Sequence, residues 1–598
     1  MTPRSHAPDK GSLTIPHMEL AAAFPQAERE RWRELLKGVL RKSGAATEDT
    51  PLDAVEDLLT RRSYDGVPIA PLYTAEEAVA SRPFATAPRD GDDDPARWDV
   101  RQRHADPLPE RTREAILADL ENGATSVWLA VGAAGVPVSG LGEALRGVHT
   151  DLAPVVLDAG PQTRQAAEAF LALAGPASLG NLGADPLGLA ARTGVTTPTP
   201  VDLAQRVAAE FPGIRTFAVD GTVYHDAGGS DAQELGAVLA AAVVYLRELT
   251  EAGLSVDQAA AQLEFRYAAH ADQFLTIAKL RAARRLWARV ASLSGASDTT
   301  ARIHAVTSSA MMTRRDPWVN MLRTTVACFA AGVGGADAVT VQPFDARIGL
   351  PDAFSRRIAR NTQTLLLEES SLARVVDPAG GSWYVEQLTE QLAQAAWTWF
   401  TDLEKAGGLA AALESGLVER ELAATWERRR KDLARRKAPL TGVSEFPNLA
   451  EKLPEREEAP APLSGGLPQR TYAQDYEALR DLADAQPVRP KVFLATLGPV
   501  AVHTARASFA ANLFQAGGIE TVTGAPEEFD GGVAVVCSSD KLYAEQAETA
   551  AKTLKERGAV RVWLAGKGEY AGVDGNVFAG CNAIEVLEGT LRDLGVTV

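Results

Sequence analysis

Ser126-Val127-Trp128-Leu129-Ala130-Val131 is an apolar run of strand length, bounded tightly enough to read as a buried strand rather than a helix. Runs of the same kind recur at Pro154-Val155-Val156-Leu157, Thr216-Phe217-Ala218-Val219 and Ala338-Val339-Thr340-Val341. Longer stretches of helical pattern separate them. Strands that alternate with helices pair in parallel, because the helix is the crossover between them. Spread over about 360 residues, from about 60 to 425, the pattern predicts an α/β fold built on a (βα)8 TIM-type barrel with insertions. In such a barrel the ligand groups sit on the loops that follow the strands. An open doubly wound sheet is the alternative.

Working outward, the barrel is assigned to residues 46–435 and a linker to 436–488. The linker includes Lys452-Leu-Pro-Glu-Arg-Glu-Glu-Ala-Pro-Ala-Pro-Leu-Ser-Gly-Gly-Leu-Pro-Gln-Arg470, which has few large apolar groups to bury. A second alternation occupies 489–598: strands Lys491 to Thr496, Gly532 to Cys537 and Val560 to Ala565, with helices near Ala505 to Ala516, Tyr543 to Arg557 and Glu585 to Leu594. It predicts a flavodoxin-like doubly wound domain. On the other side, residues 1–45 form an N-terminal arm, with an amphipathic helix from Glu28 to Leu40 and an extended segment around Leu13-Thr14-Ile15. Such an arm either packs on a neighbour or is a disordered end.

A chain of 598 residues exceeds what one hydrophobic core supports, so two or more cores are expected. A net charge of −17 opposes attraction to nucleic acid or anionic membrane. The basic run Arg428-Arg429-Arg430-Lys431, continuing to Arg435-Arg436-Lys437, reads as a solvated helix face. Cys328, Cys537 and Cys581 have neither metal-ligand spacing nor an even disulfide count, which fits a reducing compartment. With no apolar run of signal-peptide or membrane-spanning type, a cytoplasmic location is expected.

The segment Arg357-Ile-Ala-Arg-Asn-Thr-Gln-Thr-Leu-Leu-Leu-Glu-Glu-Ser370, with Val376-Asp-Pro-Ala-Gly-Gly-Ser-Trp-Tyr-Val-Glu386, resembles the barrel signature of adenosylcobalamin-dependent acyl-CoA mutases. Gly66-Val-Pro-Ile-Ala-Pro-Leu-Tyr-Thr-Ala-Glu-Glu77, Lys279-Leu-Arg-Ala-Ala-Arg-Arg-Leu-Trp287 and Arg436-Lys-Ala-Pro-Leu-Thr-Gly-Val-Ser-Glu-Phe-Pro447 agree in the right order. The resemblance implies a barrel that threads coenzyme A along its axis under a cobalamin-binding domain. A deoxyadenosyl radical there rearranges the acyl skeleton, so the protein must bind, position and exclude water.

The residues on which that chemistry depends depart from the family pattern. Where the family has Arg-Pro-Trp-Thr-x-Arg-Gln-Tyr, this chain has Ala96-Arg97-Trp98-Asp99-Val100-Arg101-Gln102-Arg103. Arg103 replaces the tyrosine that lies against substrate, and a guanidinium cannot mimic a neutral phenol. The family's Thr-x-Gln-Asn-Asp is absent. Leu182-Gly183-Ala184-Asp185 keeps only its last residue. Tyr224, His225, Arg302 and His304 are the implied substrate-site remnants, although Val306 stands where the family has glutamine, and a strand-end histidine is often just a satisfied buried polar group. In the second domain the family's Asp-x-His-x-x-Gly becomes Ala501-Val502-His503-Thr504-Ala505-Arg506. The carboxylate that would orient the cobalt ligand and the glycine that would admit the nucleotide tail are both missing. Further on, Ser538-Ser539-Asp540 and Gly566-Lys567-Gly568 replace Ser-x-Leu and Gly-Gly.

The resemblance therefore implies a small subunit, without catalytic, cofactor-binding or metal-binding residues of its own. It would support the large (alpha) subunit of a heterodimeric methylmalonyl-CoA mutase, an isomerase interconverting succinyl-CoA and methylmalonyl-CoA. Adenosylcobalamin would be bound by that partner. A self-sufficient mutase with an atypical site and an acyl-CoA-binding regulatory subunit are the alternatives.

Overall fold

The computed structural model describes residues 28–80 and 97–598. Leu13-Thr14-Ile15 and Ala96 lie outside the described residues. Eight parallel strands close into a barrel: β1 (Asp99–His104), β2 (Ser126–Ala130), β3 (Val155–Asp158), β4 (Gly180–Ala184), β5 (Ile214–Asp220), β6 (Leu263–Ala269), β7 (Ile303–Thr307) and β8 (Ala338–Thr340). Each pairs with the next in sequence, and β8 returns to β1 with Ala338 opposite Asp99. The expected barrel is found, and the open sheet is not.

Five further parallel strands form a separate sheet: β9 (Lys491–Thr496), β10 (Glu520–Gly524), β11 (Gly532–Cys537), β12 (Ala559–Ala565) and β13 (Gly575–Val577). Their order, β10-β9-β11-β12-β13, is that of the flavodoxin-type doubly wound fold. Helices cover both faces. Leu513 and Phe514 pack with Leu587 and Leu591 on one, and Tyr543, Ala547 and Leu554 fill the other. Two strands escaped the sequence reading, β10 and β13. Both are edge strands, and β10 is nowhere fully buried, with Val522 exposed, so it carries no buried apolar run.

Two stretches differ from their sequence reading. Within 436–488, Gln474–Asp484 is a helix whose Tyr476, Leu479 and Ala483 join the second domain's core. Their i, i+3, i+7 spacing was present, but the Pro-rich text just upstream masked it. The basic run is not simply solvated. Arg429 lies over the Tyr64 and Tyr472 rings, Arg430 pairs with Asp475 at 2.6 Å and Arg436 pairs with Glu445 at 2.5 Å.

The motifs that carry the family resemblance dock on one another. Arg281 bonds Asp377 and, at 2.5 Å, Glu386; Arg285 reaches Glu386 at 2.6 Å. The helices Gln273–Leu293 and Trp383–Lys405 are thereby locked together by charges inside a packed interface. Lys279, fully buried, lies 2.9 Å from Asp231 and 2.8 Å from Glu234 on the helix Asp231–Glu251. These residues hold scaffold rather than touch ligand.

Residues 28–63 and 68–73 form a second compact unit. Its helix Arg29–Lys42 matches the expected one, and Arg29 and Arg33 both grip Glu56, at 2.6 and 2.5 Å. Leu36 and Leu40 pack on Ala46 and Val55, while Leu35 and Val39, four residues apart, stay exposed. Among the described residues the three cysteines are free thiols, and no helix is long and apolar enough to cross a membrane.

Candidate functional site at the C-terminal mouth of the barrel

Side chains alternate along a strand, so β1 turns Arg101 and Arg103 to the same face, and β6 does so with Glu264 and Arg266. That face is the barrel interior. Arg101 Nη1 meets Glu264 Oε1 at 2.6 Å although β1 and β6 are not neighbours, so the ion pair crosses the lumen. Arg302, entering β7, bonds the other Glu264 oxygen at 3.3 Å and Asp99 at 3.0 Å. Burial would raise the Glu264 carboxyl, but Arg101 and Arg302 hold it down at about 2. This layer lies at the N-terminal end of the strands, where barrel residues serve stability.

The next layer is aromatic and cationic. His304 Nε2 lies 2.8 Å from Thr340 Oγ1, and its Nδ1 accepts from Arg266 Nε at 3.2 Å. Burial, with the charges of Arg101 and Arg266, holds this imidazole well below its ordinary pKa and therefore neutral. Trp128 meets His304 edge-on from across the lumen, with the Arg266 guanidinium 4.3 Å from the centre of its ring. Arg266 also reaches Asp220 at 3.2 Å, and Asp220 receives Arg192 at 2.7 Å. Burial again opposes ionisation, yet these two arginines hold the Asp220 carboxyl at about 2.

Above these layers, at the C-terminal ends of the strands, opens a cavity of about 490 Å³. Arg103, Trp128, Arg192, Asp226, Ser308 and Arg347 line it, and Pro460, Leu463 and Leu467 contribute from the segment after the barrel. That segment is strapped down by backbone: Leu467 N–H donates to Ala191 O at 2.7 Å and Gly466 N–H to Arg192 O at 3.1 Å. Leu463 presses on Gly160, where a Cβ would stand 2.6 Å from its Cδ1 and the φ is +51°.

The four residues singled out from sequence are dispersed. Tyr224 and His225 sit in the short helix Thr222–Asp226 after β5, His304 lies within the barrel and Arg302 at its opposite end. His225 Nε2 lies 2.7 Å from Ser308 Oγ, and its Nδ1 is 3.7 Å from Glu234. Ser308, not the imidazole, lines the cavity. Burial, then the charge of Lys279, keeps His225 neutral. Val306, in place of the family's glutamine, packs with Trp128 and Val156. Asp185 caps the helix Pro186–Thr193 and accepts from Tyr245 Oη at 2.6 Å. The residues that most shape the interior, Trp128, Asp220, Glu264 and Arg266, were missed by the sequence reading. The signal for Glu264 and Arg266 was the charge alternation in Leu263-Glu-Phe-Arg-Tyr267, which belongs to a strand with a polar inner face.

Sheets of this type bind ligands at the crevice between β9 and β11, where cobalamin would have to lie. It does not fit. Ser538 Oγ donates to Leu497 O at 2.9 Å, stitching the two strand ends together. Tyr543 Oη accepts from Ser538 N–H and lies 2.8 Å from Ala565 O. Arg506 stacks over that ring, pairs with Asp540 at 2.6 Å and stands 2.7 Å from where a Cβ on Gly566 would be. His503 lies in the first turn of the helix Val500–Ala516, not in a loop, and Ala501 offers it no carboxylate.

Residues 195–489 match the family model described as methylmalonyl-CoA mutase. The methylmalonyl-CoA mutase small subunit of Streptomyces virginiae is 56% identical over 97% of this chain and 98% of its own length. The probable methylmalonyl-CoA mutase small subunit of Mycobacterium tuberculosis is 41% identical over 95% and 98%, and the small subunit of Propionibacterium freudenreichii subsp. shermanii 37% over 98% and 98%. At that identity along nearly the whole length of each, the chain belongs to the family of methylmalonyl-CoA mutase small subunits.

Proposed function

We propose that this chain is the non-catalytic member of a cytoplasmic heterodimer with a methylmalonyl-CoA mutase large subunit. The partner carries the acyl-CoA substrate, adenosylcobalamin and the radical rearrangement between succinyl-CoA and methylmalonyl-CoA. The observation that carries this reading is the filled barrel axis. The Arg101–Glu264 pair and the His304–Trp128–Arg266 layer cross the lumen, in the path that a pantetheine arm would follow. The same observation opposes a self-sufficient mutase and an acyl-CoA sensor of threaded type. In the second domain, Arg506, Tyr543 and Ser538 occupy the space that the cofactor's tail would need. We divide the chain into an arm (1–45), a mutase-type barrel (46–435), a connecting segment (436–488) and a degenerate cobalamin-binding-type domain (489–598), with the helix Gln474–Asp484 serving the last.

In this reading Tyr224, His225, Arg302 and His304 are retained for structure. Exchanging His225→Gln or His304→Gln, which keeps a hydrogen-bonding side chain, should leave the turnover number of the assembled enzyme within about twofold of wild type. The measurement is mutase turnover per complex, with assembly verified by chromatography. A loss of about a hundredfold in an intact complex would assign chemistry to this barrel.

A further inference from the structure

Several hydrogen-bond donors around the barrel-mouth cavity have no acceptor among the described residues. Arg103 lines the cavity and is exposed to it. Its guanidinium lies 5.2 Å from the centre of the Trp128 ring and has no hydrogen bond or ion pair among the described residues. Trp128 is only 7% exposed, lines the same cavity, and leaves its indole N–H without an acceptor among the described residues. Arg266, over the same ring, has one Nη similarly unmet. Arg347 adds another guanidinium to the lining.

Among the nearby carboxylates, Asp226 feels the charge of Arg347, and none bonds Arg103. Asp158 and Asp220 are engaged by Arg192, at 4.0 and 2.7 Å. Asp226 is pushed up to about 7 by burial and by the charge of Asp220, so near neutrality it is partly protonated and itself a donor. Arg103 is held below its ordinary pKa by burial and by repulsion from Arg192 and Arg266, with Asp158 opposing.

We propose that this cavity is a binding site for a small oxyanion, a short carboxylate or inorganic phosphate, held by Arg103 and Arg347. The volume of about 490 Å³ falls in the range of small-molecule sites. The axis beneath is filled by the His304 and Arg101–Glu264 layers, so the site is a dead end that suits a compact ligand and not a coenzyme A ester. The strap that contributes Pro460 and Leu463 lies along the same cavity, so a bound anion stabilises the strapped state by mass action. The proposal does not depend on whether the barrel is catalytic.

The test uses the full-length chain with sodium succinate and sodium phosphate as probes, against sodium chloride at matched ionic strength. Calorimetric titration should show saturable binding of at least one probe, at one site per chain, with a rise in Tm beyond that given by chloride. The preferred probe assigns the site to carboxylate or phosphate. Arg103→Gln should weaken binding at least tenfold, and Arg347→Gln should weaken it measurably. Because Arg103 makes no hydrogen bond among the described residues, R103Q should fold with wild-type circular dichroism. Should R103Q fail to fold, R347Q decides the matter. Absence of saturable binding of either probe up to about 10 mM, weaker than any affinity a built site of this kind should show, would overturn the proposal. So would undiminished affinity in the folded variants.

Discussion

Glu264→Ala should lower the unfolding free energy of this chain by about 3–5 kcal/mol, because it leaves Arg101 buried without its counter-charge, while Arg302 keeps Asp99. Arg101 is 1% exposed and its Nη1 has Glu264 as its partner across the lumen. The loss is one of pairing rather than volume. A double variant, Glu264→Leu with Arg101→Met, should therefore recover much of the stability that the single change removes. The pH dependence has a definite sign. The Glu264 carboxyl stands at about 2 in the folded chain against 4.5 ordinarily, so its contribution is complete above pH 4.5 and disappears as pH falls towards 2. Urea unfolding at pH 7 and at pH 3 measures both effects. A single variant as stable as wild type at pH 7 would remove this layer from the account of the barrel.

The second large effect concerns assembly. A permanent complex between chains of this size buries about 2,000–5,000 Å² with an apolar centre. The helix Arg29–Lys42 presents Leu35 at 57% and Val39 at 63% exposure on one face, an apolar stripe left uncovered among the described residues of its unit. Removing residues 1–45 should weaken association with the large subunit by more than about tenfold, equivalent to a loss of about 1.4 kcal/mol or more. Leu35→Glu with Val39→Glu should do the same while keeping the helix. Mass-resolved chromatography of each form mixed with the large subunit reads the outcome. Full assembly by both variants would move the interface elsewhere on the chain.

How far the molecule could be read from its sequence followed burial. Strands that are apolar on both faces, such as Ser126–Ala130 and Gly532–Cys537, were legible as continuous runs. Edge strands were not, since Glu520–Gly524 buries nothing fully. The helix Gln474–Asp484 was hidden by the proline-rich text before it, although its own spacing was regular. The departures from the family's motifs could be read because a motif with fixed chemistry shows which residue differs, as at Arg103, Ala501 and Arg506. What replaced that chemistry could not. The pairing of Arg101 with Glu264, and of Arg266 with Asp220, joins residues 163 and 46 positions apart, and only closure of the barrel brings them together. Likewise, that Arg281 and Arg285 serve Glu386 is a fact of helix docking that neither motif states alone.

The central claim, that this chain supports chemistry without performing it, meets its most direct test in the isolated chain with adenosylcobalamin and methylmalonyl-CoA. Absorption spectra and mutase turnover are recorded for the chain alone, for the large subunit alone and for the mixture. With Arg506 and Tyr543 closing the second domain's crevice and Ala501 leaving His503 without an orienting carboxylate, the account predicts an unchanged base-on spectrum and no turnover for the chain alone, and both signals in the mixture. Stoichiometric cobalamin binding by the chain alone, with His503 displacing the lower axial base and turnover following, would contradict it.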